Sequence, residues 1–141
     1  MSIIANIADA VVAALNGHQF SQSFTAVRAY RPEYDLRDMG DLRVTVVPKS
    51  TEMTTAGRGL AQSDIQIDLA VQKKLTTGDN AEIDALMGLV QEIAEFIRST
   101  GRFGGAVWVK TENSPIYAPE HLGEMRLFTS VLTLTLRVMT A

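Results

Sequence analysis

The chain has 141 residues, 46% of them hydrophobic and 21% charged, with 13 basic and 16 acidic side chains for a net charge of −3. That length suits one domain and buries roughly two-thirds of the unfolded surface, and the apolar content argues against disorder. The acidic balance argues against a dedicated nucleic-acid-binding domain, whose affinity comes from neutralising phosphates. The absence of cysteine excludes disulfides, thiolate nucleophiles and zinc–thiolate sites.

No apolar run approaches the ~20 residues that span a bilayer, so no membrane association is expected. The first residues lack a basic n-region and are interrupted by Asn6 and Asp9, so a signal peptide is not expected either.

Residues 3–15 set Ile3, Ile4, Ile7, Ala8, Val11, Val12 and Leu15 on one helical stripe. Ser2 suits its N-cap, and Asn16-Gly17 its stop. From Phe20 the period changes to two, predicting a strand with Phe20, Phe24, Ala26 and Tyr30 on one side, ended by Pro32. Residues 31–41 read as a charged surface turn. A second strand, Leu42–Val47, stops at Pro48, which cannot donate to a ladder.

Residues 49–63 show no sustained period, predicting a long loop that orders against a partner. Ile65, Ile67, Leu69 and Val71 then alternate with polar residues, predicting a half-buried strand in an antiparallel hairpin with Leu42–Val47. A second helix is predicted over roughly 80–98, with Ile83, Leu86, Met87, Val90, Ile93, Ala94 and Ile97 as its stripe and Gly101 as its stop. Gly88 costs about 1 kcal/mol there, which close packing on the sheet would offset. A short strand, Ala106–Thr111, contains Trp108, and a long one, Arg126–Met139, turns Leu132, Leu134, Leu136 and Val138 to one side and Thr129, Thr133, Thr135 and Arg137 to the other.

The predicted order is α-β-β-β-α-β-β in one domain, residues 1–141. It implies an α+β fold with an antiparallel-rich sheet of about five strands and both helices on one face. Leu69, Val71, Leu132, Leu134, Ile83, Val90 and Ile93 are the expected core.

Chemistry-bearing patterns are sparse. His121 and Glu124 could meet on one helical turn, but two ligands do not make a metal site, and His18 suits capping or solvation at the end of the first helix. Asp35, Asp38 and Asp41 recur every three residues, whereas a calcium loop repeats every two. Gly57-Arg58-Gly59 and Gly101–Gly105 lack the P-loop lysine and read as turns, and no Gly-x-Ser-x-Gly elbow is present. No catalytic residue, metal site or cofactor is expected. The interface candidates are Met53, Arg58 and Leu60 in the long loop, where two apolar side chains and a guanidinium can bury against a partner.

The blocks Phe24–Leu36, Leu42–Pro48 and Asp64–Lys74, with Glu82–Leu86 and Phe128–Thr135, resemble the tail terminator (tail completion) proteins of long-tailed bacteriophages and prophages. The resemblance covers nearly the whole chain. It implies a non-enzymatic virion protein, assembled in the host cytoplasm, that forms a homo-hexameric ring at the head–tail junction. That ring would end tail-tube polymerisation and contact the tube protein and a neck or head-completion protein, with the genome DNA passing through unbound. Two alternatives are another neck or head-completion protein and a small enzyme with a pocket of convergent polar groups.

Overall fold

The computed structural model describes residues 2–30, 42–124 and 126–140. The surface turn read over 31–41, with its three aspartates, lies outside the described residues. Helix α1 (Ile3–Asn16) starts where Ser2 Oγ accepts the Ala5 N–H, and its stripe buries Ile7, Ala8, Val11 and Leu15. Strand β1 (Ala26–Arg28) follows. Strands β2 (Arg43–Gly57) and β3 (Leu60–Lys74) form a hairpin, and α2 (Asn80–Thr100), β4 (Arg102–Phe103), β5 (Ala106–Glu112), α3 (Pro119–Glu124) and β6 (Leu127–Thr140) complete the chain.

The strands form one six-stranded sheet in the order β1-β2-β3-β6-β5-β4, antiparallel except for the parallel β1–β2 pair. Its two edge strands, β1 and β4, both pack on α1, so the sheet curls around that helix. At the β4 edge, Gly104 and Gly105 have φ of 58° and 88°, the left-handed backbone that a two-residue hairpin turn requires. A Cβ on Gly104 would stand 3.4 Å from the Ala10 Cβ, so this turn seats directly on α1.

Both helices lie on one face, as expected. Ile7 and Val11 of α1, Leu86 and Ile93 of α2, Val44, Ile67, Leu69, Leu134 and Leu136 join in a single buried core. Of the expected core residues only Ile83 departs, being half-buried at the rim of that core.

Four further expectations need correction. The strand read from Phe20 is only Ala26–Arg28. Phe20 and Phe24 stack on each other and Phe20 meets Phe96 of α2 at 5.4 Å, so their apolar surface is satisfied without a ladder. His18 stacks on Phe96 at 4.4 Å while remaining largely exposed. The loop read over 49–63 is paired strand: β2 runs through Pro48 with a bulge before Ser50, and Thr51–Thr55 pair with Ile65–Ala61. Alternation is absent there because both faces of that segment meet solvent, while β-branched Thr51, Thr54 and Thr55 favour extended backbone. Gly88 is exposed, with open space where a Cβ would stand, so no close packing explains it. The sheet has six strands, not five, because the two-residue β4 is too short to announce itself in a sequence. Helix α3 was likewise unforeseen.

The junction of β3 and α2 is built around one carboxylate. Asp79 caps α2 by accepting the Glu82 N–H at 2.9 Å. Glu82 in turn accepts the N–H groups of Thr76, Thr77 and Gly78 and pairs with Lys73 Nζ at 3.1 Å. Burial opposes its ionisation, but the Thr76, Gly78 and Thr77 amides and the Lys73 ammonium outweigh that and lower its pKa from 4.5 to about 2.

Two outcomes follow for the core and the helix. Leu134→Ala is expected to cost about 2–5 kcal/mol, and Gly88→Ala to gain about 1 kcal/mol, read from denaturant midpoints. For the junction, the folded pKa of Glu82 lies below its unfolded value. Its contribution is therefore full above pH 4.5 and is lost as pH falls toward 2. Glu82→Gln should melt lower than wild type at neutral pH, with the two melting curves converging as the acid limit is reached. Parallel curves down to that limit would show that the carboxylate is not the group responsible.

Candidate assembly surface

Strands β2, β3 and β6 continue past the part of the sheet that the helices cover. Beyond the fully buried Ile65, β3 runs back to Leu60, roughly 17 Å of extended chain. It is flanked by β2 on one side and, through the pairs Ala61–Thr140 and Ser63–Val138, by β6 on the other. The result is a three-stranded arm. Its turn is Arg58-Gly59, with Gly59 at a φ of 69°.

The three interface candidates all lie on this arm, but they do not form one patch. Met53 pairs with Ser63 on the side that continues the helix-covered face, and it is 68% exposed. Leu60 is one step from Ala61 and so projects from the opposite face, while Arg58 occupies the turn. On the face of Leu60, the sequence reading missed two further exposed residues, Met139 diagonally across from it and Val107 further along, two strands away. Met139 lies opposite Gln62, and Val107 opposite Arg137. Each of Leu60, Met139 and Val107 is more than two-fifths exposed. The signal for Met139 was present in the alternation of β6, where it falls in phase with Thr133, Thr135 and Arg137 rather than with the leucines.

That face of the sheet, opposite the helices, is polar and cross-linked. Arg137 donates to both carboxylate oxygens of Asp64 at 2.8 and 3.2 Å, a fork that holds Asp64 below the usual carboxylate range. Asp68 accepts the Thr133 hydroxyl at 2.7 Å and faces Lys49 Nζ at 3.8 Å, while Lys110 pairs with Glu112 at 2.8 Å. Charges of both signs alternate across β2, β3, β6 and β5, so the face is hydrophilic without being a phosphate-binding surface. Two side chains on it depart from this pattern. Gln72 is completely buried with neither amide atom paired, and Thr135 Oγ1 is buried and unpaired.

On the helix side, a groove of about 430 Å³ opens between α2 and the chain after β5, lined mainly by Met87, Val90, Ala94, Ile116 and Leu132. Its nearest amide, Asn113, is already engaged with Ser130 Oγ and the Val131 carbonyl. His121 Nδ1 lies 2.8 Å from Thr129 Oγ1, and the side chain of Glu124 is outside the described residues. Among the described residues, no three His, Asp or Glu side chains gather as a metal set. No protein-family model matches the chain, and no curated protein matches its sequence.

The register defines how the arm can be removed without disturbing its base. Thr51 pairs with Ile65, so replacing residues 52–64 by Asn-Gly joins two residues that already face each other. This shortened chain is expected to keep its far-ultraviolet dichroism spectrum and a cooperative melt, because only Ser63 of the removed residues is buried and none belongs to the apolar core. Loss of cooperative unfolding would show that the arm supports the core.

Proposed function

We propose that this chain is a structural subunit of a bacteriophage tail, a tail terminator that assembles as a six-membered ring, ends tube polymerisation and joins the tail to a neck or head-completion protein. The observation that supports this reading best is the arm. A projecting three-stranded arm with exposed Met53 on one face, Leu60 and Met139 on the other, and Arg58 at its turn buries little in an isolated subunit. Against neighbouring subunits or the end of a tube, those side chains gain apolar contact on both faces at once. The mixed-sign sheet face suits a conduit past which DNA moves without being gripped.

Complementation tests the proposal. In tails assembled with the intact chain, tubes are expected to have uniform length and to carry heads. With residues 52–64 replaced by Asn-Gly, tubes should overrun that length and remain headless in electron micrographs. Uniform, head-bearing tails from the shortened chain would remove the arm from the assembly, and a chain with no effect on tails at all would remove the role.

A further inference from the structure

The outer edge of β2 is open along most of its length. β1 pairs with it at Val44–Val46, where the Ala29 N–H also donates to the Val46 carbonyl. From Pro48 to Gly57, no strand among the described residues covers that edge, and Lys49–Thr55 are all exposed. An extended edge with free N–H and C=O groups is a template for another strand, and sheets blunt such edges with proline, charge or bulges. Here Pro48 and the two register shifts sit at the ends. The stretch between them, Ser50–Thr55, is regular, rich in threonine and bears one charge, Glu52.

Glu52 is the informative residue. It stands directly across from Asp64, a like-charged neighbour whose own cation, Arg137, lies on the far side of β3, and it makes no ion pair among the described residues. Like charges set opposite each other in a ladder are destabilising. Three positions earlier, in the bulge, Lys49 reaches only to 3.8 Å from Asp68 with about half of its side chain exposed. Lys49 and Glu52 both act on the face opposite the helices.

We propose that this edge of β2 pairs antiparallel with the same edge of a second copy of the chain, about a two-fold axis at Thr51. That axis sets Glu52 of each copy opposite Ser50 and beside Lys49 of the other, so both unpaired carboxylates gain a cation. An axis at Glu52 would bring the two carboxylates face to face, and one at Met53 would carry Lys49 away from them. Charge therefore selects the register. The contact is two-fold, whereas a ring repeats a rotational contact, so this inference does not rest on the ring reading.

The cysteine-free sequence makes the test clean. Thr51→Cys places a single thiol on the axis and is expected to oxidise to a covalent dimer, whereas Thr54→Cys, on the same edge but off the axis, is not. In sedimentation velocity, the intact chain should run as a dimer and Glu52→Lys as a monomer whose thermal melt is no lower than that of the intact chain, since the lysine faces Asp64. Combining Lys49→Glu with Glu52→Lys should restore the dimer. A monomer at every concentration, a dimer indifferent to Glu52→Lys, or equal cross-linking at Thr51→Cys and Thr54→Cys would overturn the pairing. A closed ring whose Thr51→Cys form does not cross-link would overturn it while leaving the ring reading intact. A cross-linked dimer that never associates with tubes would do the reverse.

Discussion

The pairing of β3 with β6 is the constraint on which the rest of this molecule depends. Fourteen residue pairs run without a break from Ala61–Thr140 to Lys74–Leu127, joining segments that are far apart in sequence. On one side of that ladder, Ile65, Ile67 and Leu69 meet Leu136, Leu134 and Leu132 to make the floor of the core. On the other, the same register brings Asp64 to Arg137 and Asp68 to Thr133. A slip of β3 by one residue would bury both aspartates and expose Ile65, Ile67 and Leu69, so the apolar and polar faces enforce the same alignment. The helices, the hairpin and the arm are all placed relative to this pair.

The ladder also explains why the molecule has an arm. Beyond Ile65, burial narrows to Ser63 and its partner Val138, and β6 holds β3 extended past that pair. β2 then follows β3 because a hairpin with a two-residue turn leaves it no other path. The segment is therefore ordered by backbone pairing rather than by burial. This is why its side chains remain available to solvent and to partners.

Much of this was legible in the sequence, and the limits have physical causes. The helix ends at Ser2 and Gly101 were legible from cap chemistry, and the stripes of α1 and α2 and the alternation of Ile65–Val71 and Leu132–Val138 each reflect one face meeting a core. Period reports burial, and where burial is one-sided the reading was sound. The arm is exposed on both faces, so residues 49–63 show no period although they are paired throughout. Phe20 and Phe24 err in the opposite sense, since their spacing mimics a strand while their rings stack on each other and Phe20 meets Phe96. The candidates Met53, Arg58 and Leu60 were read as parts of one loop, whereas they lie on two strands and a turn. Their separation onto two faces and a turn needed the register, as did the placing of Met139 and Val107 on the face of Leu60.

In the proposed role the arm contacts other subunits rather than stabilising its own. The decisive experiment is electron microscopy of purified tail tubes incubated with the intact chain. A six-fold ring of added density is expected at one end of each tube, with the arms in contact with neighbouring subunits or the tube. Protein that leaves tube ends bare, or that decorates the tube along its whole length, would contradict it.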